Sequence, residues 1–174
     1  MKDFRVKKYQ IHTDKIQNPE GVRFVLLADL HGISYGRENV RLVETIRRLN
    51  PDAILSAGDM AVRTQPDTLV TACKLLKKLV HDFPVYYALG NHEYKMTLSG
   101  EYRGYYEKYE KMLKTAGVHI LRNTHEHAIF KGEHFCFWGL ELPIEYYHKP
   151  KSPKLKTKMM EELIGKPGKN GMQI

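Results

Sequence analysis

Three short clusters in this sequence carry side chains able to grip a divalent cation and handle a proton: Asp29-Leu30-His31, Gly58-Asp59 and Gly90-Asn91-His92-Glu93. Asp29 and His31 are two residues apart. On a strand that spacing puts both side chains on one face, and in a loop just beyond a strand it lets them converge on one ion. Asp59 adds a second carboxylate, Asn91 a neutral carbonyl oxygen and His92 an imidazole. A mixed oxygen and nitrogen set of this kind suits manganese, iron or zinc better than calcium. Gly32, Gly58 and Gly90 are small enough for backbone or substrate to approach closely.

The elements that must position these clusters are legible from apolar runs and helical spacing. Residues 22–28, 53–57 and 84–89 are short apolar runs, and each ends in one of the clusters. The first is apolar enough to predict a strand buried on both faces. Between them, Val40, Val43, Ile46 and Leu49 repeat at helical steps before Asn50-Pro51, and Leu69, Cys73, Leu76 and Val80 do the same. That rhythm predicts a β-α-β-α-β layout with the clusters at the carboxyl ends of the strands, where ligands gather in open α/β sheets. A further helix is expected over residues 102–116, with Tyr105, Tyr109, Met112 and Leu113 toward a core. Beyond Gly117, the strand-like pieces 118–121, 127–130 and 134–139 suggest a second sheet. A short helix is expected near residues 156–164, and residues 171–174 could begin another strand.

The chain has 174 residues and 42% hydrophobic content, enough for one globular domain. Lys and Arg outnumber Asp and Glu by 28 to 20, a net charge of +8. That surplus favours anionic partners: a phosphorylated small molecule or phosphodiester, nucleic acid, or an acidic membrane surface. Lys149, Lys151, Lys154, Lys156 and Lys158 form a basic run that reads first as a solvated loop. No stretch is apolar enough for a transmembrane segment, and the opening residues lack a secretory pattern, so the expected location is cytoplasmic. Cys73 and Cys136 show no CxxC spacing and are expected to be reduced packing residues. Trp138 is expected in the core, His119 and His134 as satisfied polar residues, and the tyrosines Tyr102, Tyr105, Tyr106 and Tyr109 as a packing face that could also meet an aromatic ligand.

Taken together, Asp29-x-His31, Gly58-Asp59 and Gly90-Asn91-His92-Glu93 resemble the calcineurin-like metallophosphoesterases, over roughly residues 22–138, and Ala28-Asp29-Leu30-His31 is most similar to their bacterial branch of small phosphohydrolases. The resemblance implies an α/β/β/α sandwich of two mixed sheets with helices outside. It also implies two divalent ions, with Asp29 and His31 on the first, Asp59 bridging, Asn91 on the second, His92 as the catalytic histidine and Glu93 orienting His92. The activity implied is hydrolysis of phosphomonoesters or phosphodiesters by a metal-activated hydroxide.

The family pattern continues with a further histidine ligand and a Gly-His-x-His segment. His125-Glu126-His127 comes too early and lacks the glycine, and His148 lies among prolines and lysines. The expectation is therefore a single domain over residues 1–174 that lacks the C-terminal part bearing the remaining ligands. The second sheet is expected to be incomplete, with an exposed edge through which two copies could associate, and one or no ion to be held firmly. The alternative is a non-catalytic metal- or anion-binding scaffold that keeps the fold.

Overall fold

The computed structural model describes residues 3–147, 151–168 and 170–174; Lys149 and His148 lie outside them. The chain folds as two packed sheets, and helices cover the outer face of the first. β1 (Phe24–Leu27), β2 (Ala53–Ser56), β3 (Val85–Ala88) and β4 (His119–Leu121) form a parallel sheet in the order β1-β2-β3-β4. Parallel neighbours need a crossover, and helices supply it. A 3-10 turn at Arg37–Asn39 leads into α1 (Val40–Leu49), which joins β1 to β2; α2 (Thr68–Val80) joins β2 to β3; α3 (Asn91–Thr97) and α4 (Arg103–Thr115) join β3 to β4. β5 (Thr124–Phe130) and β6 (Glu133–Gly139) form an antiparallel hairpin, with β7 (Met172–Gln173) parallel to β6. α5 (Thr157–Ile164) lies between β6 and β7 in the chain.

Leu42, Val43 and Ile46 of α1, six residues of α2, and Tyr106, Tyr109 and Leu113 of α4 are buried. They pack with Val25, Leu27, Ile54, Val85, Tyr87 and Ile120 on one face of the parallel sheet. The other face meets the second sheet, where Phe24 sits edge-on to Phe135 at 5.0 Å and to Phe137 at 5.5 Å, and Tyr86 lies 4.3 Å from Phe137. None of the described helices is long and apolar enough to cross a membrane.

Several expectations are corrected. β1 is an edge strand rather than one buried on both faces, and Leu26 is 65% exposed. β4 pairs in parallel with β3, not with the second sheet, because α4 returns the chain to the same edge. On α4 the buried face runs through Tyr106, Tyr109 and Leu113, whereas Tyr105 and Met112 are exposed. On α1 the kink before Val40 turns that residue to solvent. Trp138 is half-buried on the outer side of the second sheet, its Nε1 donating to Gln173 Oε1 at 2.9 Å. The described lysines of the basic run, Lys151, Lys154, Lys156 and Lys158, are exposed. His119 meets Glu126 at 2.8 Å, while His134 is exposed.

Candidate metal centre

β1, β2 and β3 are parallel and adjacent, so the loops leaving their carboxyl ends emerge side by side. Those loops are laced by backbone hydrogen bonds: Asp29 N–H donates to Gly58 O at 3.1 Å, His31 N–H to Asp59 O at 3.0 Å and Gly32 N–H to Met60 O at 2.8 Å. The lacing needs unusual backbone. Asp29, His31 and Asp59 all have positive φ, at 53°, 49° and 50°. Side chains with a Cβ adopt that region at a cost, and such outliers concentrate at functional sites. Gly58, at φ 78°, lies directly against Gly90; a Cβ there would run into the Gly90 amide nitrogen.

The third cluster is not a loop. Asn91, His92 and Glu93 form the first turn of α3, with Gly90 before it in extended conformation. The apolar repeat of this helix is too short to announce it, although Gly90 followed three residues later by Glu93 is a helix-start signal. Glu93 is fully buried, and its carboxylate accepts the N–H groups of Ala61 (3.0 Å), Asp59 (2.9 Å) and Gly90 (3.2 Å). Burial pushes its pKa above the ordinary value, the Asp59 charge adds to the rise, and backbone donors including Ala61 oppose it. Glu93 thus fixes the Asp59 loop to α3, while the His92 ring is held by another group, the Arg63 N–H, which donates to Nδ1 at 2.9 Å.

The side chains converge. His31 Nε2 lies 3.5 Å from Asp29 Oδ1. One ligand atom from each of His31, Asp59 and His92 falls within 4.8 Å of the others. The His31 and His92 rings meet edge to face at 4.9 Å, and Asp59 Oδ1 accepts the His92 N–H at 2.8 Å. The Asn91 amide lies against Asp59: its Nδ2 donates to Asp59 Oδ2 at 3.1 Å and its Oδ1 accepts the His92 N–H at 3.1 Å. Exposed Asp29 and half-buried His31 complete a donor set suited to a divalent metal.

His92 differs from the rest. An N–H already points at its Nδ1, so the neutral ring carries its proton on Nε2. Ligation through Nε2 would require that proton on Nδ1, facing another donor. The geometry equips His92 to donate a hydrogen bond rather than to bind an ion.

Elsewhere, Tyr106 and Tyr109 are buried on the inner face of α4, with Tyr109 donating to Tyr87 Oη at 3.3 Å, so they belong to the core. The chain is 30% identical over 137 residues to a transmembrane protein with a metallophosphoesterase domain from Danio rerio, covering 77% of this chain. It is 31% identical over 151 residues to the putative metallophosphoesterase F40B5.2 of Caenorhabditis elegans, covering 76% of this chain. It spans 29% of the length of each of these relatives. Among solved structures, phosphopantetheinyl hydrolase from Mycobacterium tuberculosis aligns over 83% of this chain and 52% of its own, with 20% identity and a TM-score of 0.48. The calcineurin-like phosphoesterase profile matches residues 22–165, a span that takes in all three clusters, and the chain therefore belongs to the calcineurin-like phosphoesterase family of metal-dependent hydrolases.

Proposed function

We propose that this domain hydrolyses phosphomonoesters or phosphodiesters, with Asp29, His31 and Asp59 holding a first divalent ion, Asp59 and Asn91 a second, and His92 contacting the reacting phosphate. The observation that carries this reading is the convergence of Asp59 with His31, Asn91 and His92 at one end of the parallel sheet. When bound, paired divalent ions supply a hydroxide at neutral pH and neutralise charge on the phosphate oxygens; manganese, iron and zinc suit this donor set. The protein's own part is positional. Glu93 anchors the Asp59 backbone, and the Arg63 N–H keeps the His92 proton on Nε2. From there His92 donates to a phosphoryl or leaving-group oxygen as charge develops, which is stabilisation by a preplaced donor.

In this reading the second ion has fewer ligands from this chain than the first.

The test measures hydrolysis of p-nitrophenyl phosphate and bis-p-nitrophenyl phosphate with manganese, together with bound metal, for the wild type and His92→Asn. The variant should keep its metal and lose roughly a hundredfold or more in kcat. Turnover that survives His92→Asn unchanged, or a wild type that binds metal and cleaves neither ester, would overturn the reading.

A further inference from the structure

The second sheet holds another cluster of metal-binding side chains, on the face turned away from the first sheet. In the β5–β6 hairpin His127 stands opposite Cys136 and His125 opposite Trp138. Side chains alternate across a strand. Ala128, Phe130, Phe135 and Phe137 point inward to the apolar layer between the sheets, and Glu126 reaches inward to His119. His125, His127, Cys136 and Trp138 therefore share the outer face. A directly opposed antiparallel pair brings its side chains close, and the residue two positions along the same strand is the next neighbour on that face. The His-x-His spacing and the facing cysteine thus define a triangle that the sequence alone does not reveal.

The distances suit an ion. One ligand atom from each of His125, His127 and Cys136 lies within 4.8 Å of the others, and Cys136 Sγ is 4.0 Å from His127 Nε2. Tetrahedral zinc, with bonds of about 2.0–2.1 Å to nitrogen and about 2.3 Å to sulfur, separates two nitrogens and a sulfur by about 3.3–3.6 Å. Closing the remaining gap takes about 1.5 Å at most, within reach of imidazole rotation. The two rings stand nearly perpendicular, 5.4 Å apart. Trp138, fixed by its hydrogen bond to Gln173, lies 4.2 Å from the His125 ring and limits its orientations. The cysteine is only 1% exposed, beneath two exposed imidazoles.

We propose that His125, His127 and Cys136 form a second metal site for a thiophilic divalent ion of the zinc class, with the fourth position open to water. Two imidazoles and a thiolate, with no oxygen ligand, select zinc over magnesium, calcium or manganese. The site joins adjacent strands of a three-stranded sheet, so binding should stabilise that sheet by mass action. It stands independently of the phosphoesterase reading, because it shares no residue with the first site.

Cobalt(II) titration tests this. In the Asp59→Asn background, which weakens the first site, one cobalt should bind with a sulfur-to-cobalt charge-transfer band and tetrahedral d–d absorption, and zinc should displace it. Cys136→Ser should abolish the band, and Cys73→Ser should leave it intact. If Cys136→Ser fails to fold, as judged by circular dichroism, the exposed His125→Asn decides. Loss of a direct ligand should weaken cobalt binding by more than the roughly tenfold effect of a lost outer partner. A missing charge-transfer band, a band that survives Cys136→Ser, or an affinity unchanged by His125→Asn would overturn the proposal and leave Cys136 a packing residue.

Discussion

The two sheets handle polar residues in opposite ways. At the carboxyl ends of β1 and β2, Asp29, His31 and Asp59 sit on left-handed backbone and their loops are laced main chain to main chain, with the Asp59 loop resting on the buried Glu93 carboxylate. In the β5–β6 hairpin, regular alternation sends phenylalanines inward and histidines outward, and the positive φ values fall at the connecting turn, Lys131 and Gly132. The first region holds a strained arrangement because surrounding contacts over-determine it; the second obtains its geometry from pleat and register alone. Substitutions should therefore do more damage in the first region than in the second, even when the chemical change is the same.

The largest effect expected is that of Asp59→Asn. The asparagine oxygen can still accept the His92 N–H now held at 2.8 Å, so the fold should persist. The charge that holds cations is gone, however. Manganese bound at the first centre should fall sharply, and any esterase turnover should drop by at least the roughly 10²–10³-fold that one transition-state donor is worth. Metal analysis of the purified variant beside the wild type checks this; retention of full manganese content would remove Asp59 from the site.

Next comes Gly58→Ala. Its φ of 78° strains any L residue, and the new Cβ would meet the Gly90 backbone, which cannot swing aside as a side chain could. Adding left-handed strain to overpacking gives about 2–4 kcal/mol of lost stability. Urea unfolding monitored by far-UV circular dichroism measures it. A loss under about 1 kcal/mol would mean that the loops are free to separate and are not over-determined.

Glu93→Gln follows. Glutamine can turn its oxygen to the Ala61 N–H or to the Asp59 and Gly90 donors, and in either orientation its NH2 group faces a backbone N–H donor. Relief of the buried charge offsets part of that conflict, leaving a cost of about 1–3 kcal/mol. The hydrogen bond from the Asp59 N–H is what fixes the Asp59 backbone, so manganese affinity should also fall, by roughly tenfold or more as for other supporting groups around metal ligands. Unchanged affinity beside reduced stability would assign Glu93 to the fold alone.

How much of the molecule is visible in the sequence follows the same division. The strands and most helices are legible from apolar runs and helical repeats, and the three clusters from their places at run ends. The expectation that β1 is buried on both faces fails because sequence records how apolar a strand is, not whether it sits at an edge. β4 falls in the other sheet from the one expected because a short apolar segment carries no statement of its neighbour; that depends on where α4 returns the chain. The role of Glu93 is half legible: its spacing from Gly90 marks a helix start, but the reach of its carboxylate to Asp59 and Ala61 depends on an approach across the parallel sheet. The pairing of Cys136 with His127 requires the hairpin register, which the turn at Lys131-Gly132 sets; without that register Cys136 reads only as a packing residue.

That turn supplies the smallest effect and the control for Gly58. Phe130 pairs with Glu133, so Lys131 and Gly132 form a two-residue hairpin loop with φ of 52° and 83°. This is the positive-φ pair that matches strand twist in type I′ turns. A Cβ on Gly132 would meet nothing within 4 Å. Gly132→Ala therefore carries left-handed strain without a clash, partly offset by a less flexible unfolded chain, for a net loss of about 1 kcal/mol. Gly132→Asn should lose less, since asparagine tolerates that region better. Both glycines have nearly the same φ, so the difference between their alanine variants isolates what backbone crowding adds at the metal centre. If the two alanine variants unfold at the same urea concentration, the laced loops contribute nothing beyond turn geometry, and the contrast between the sheets fails.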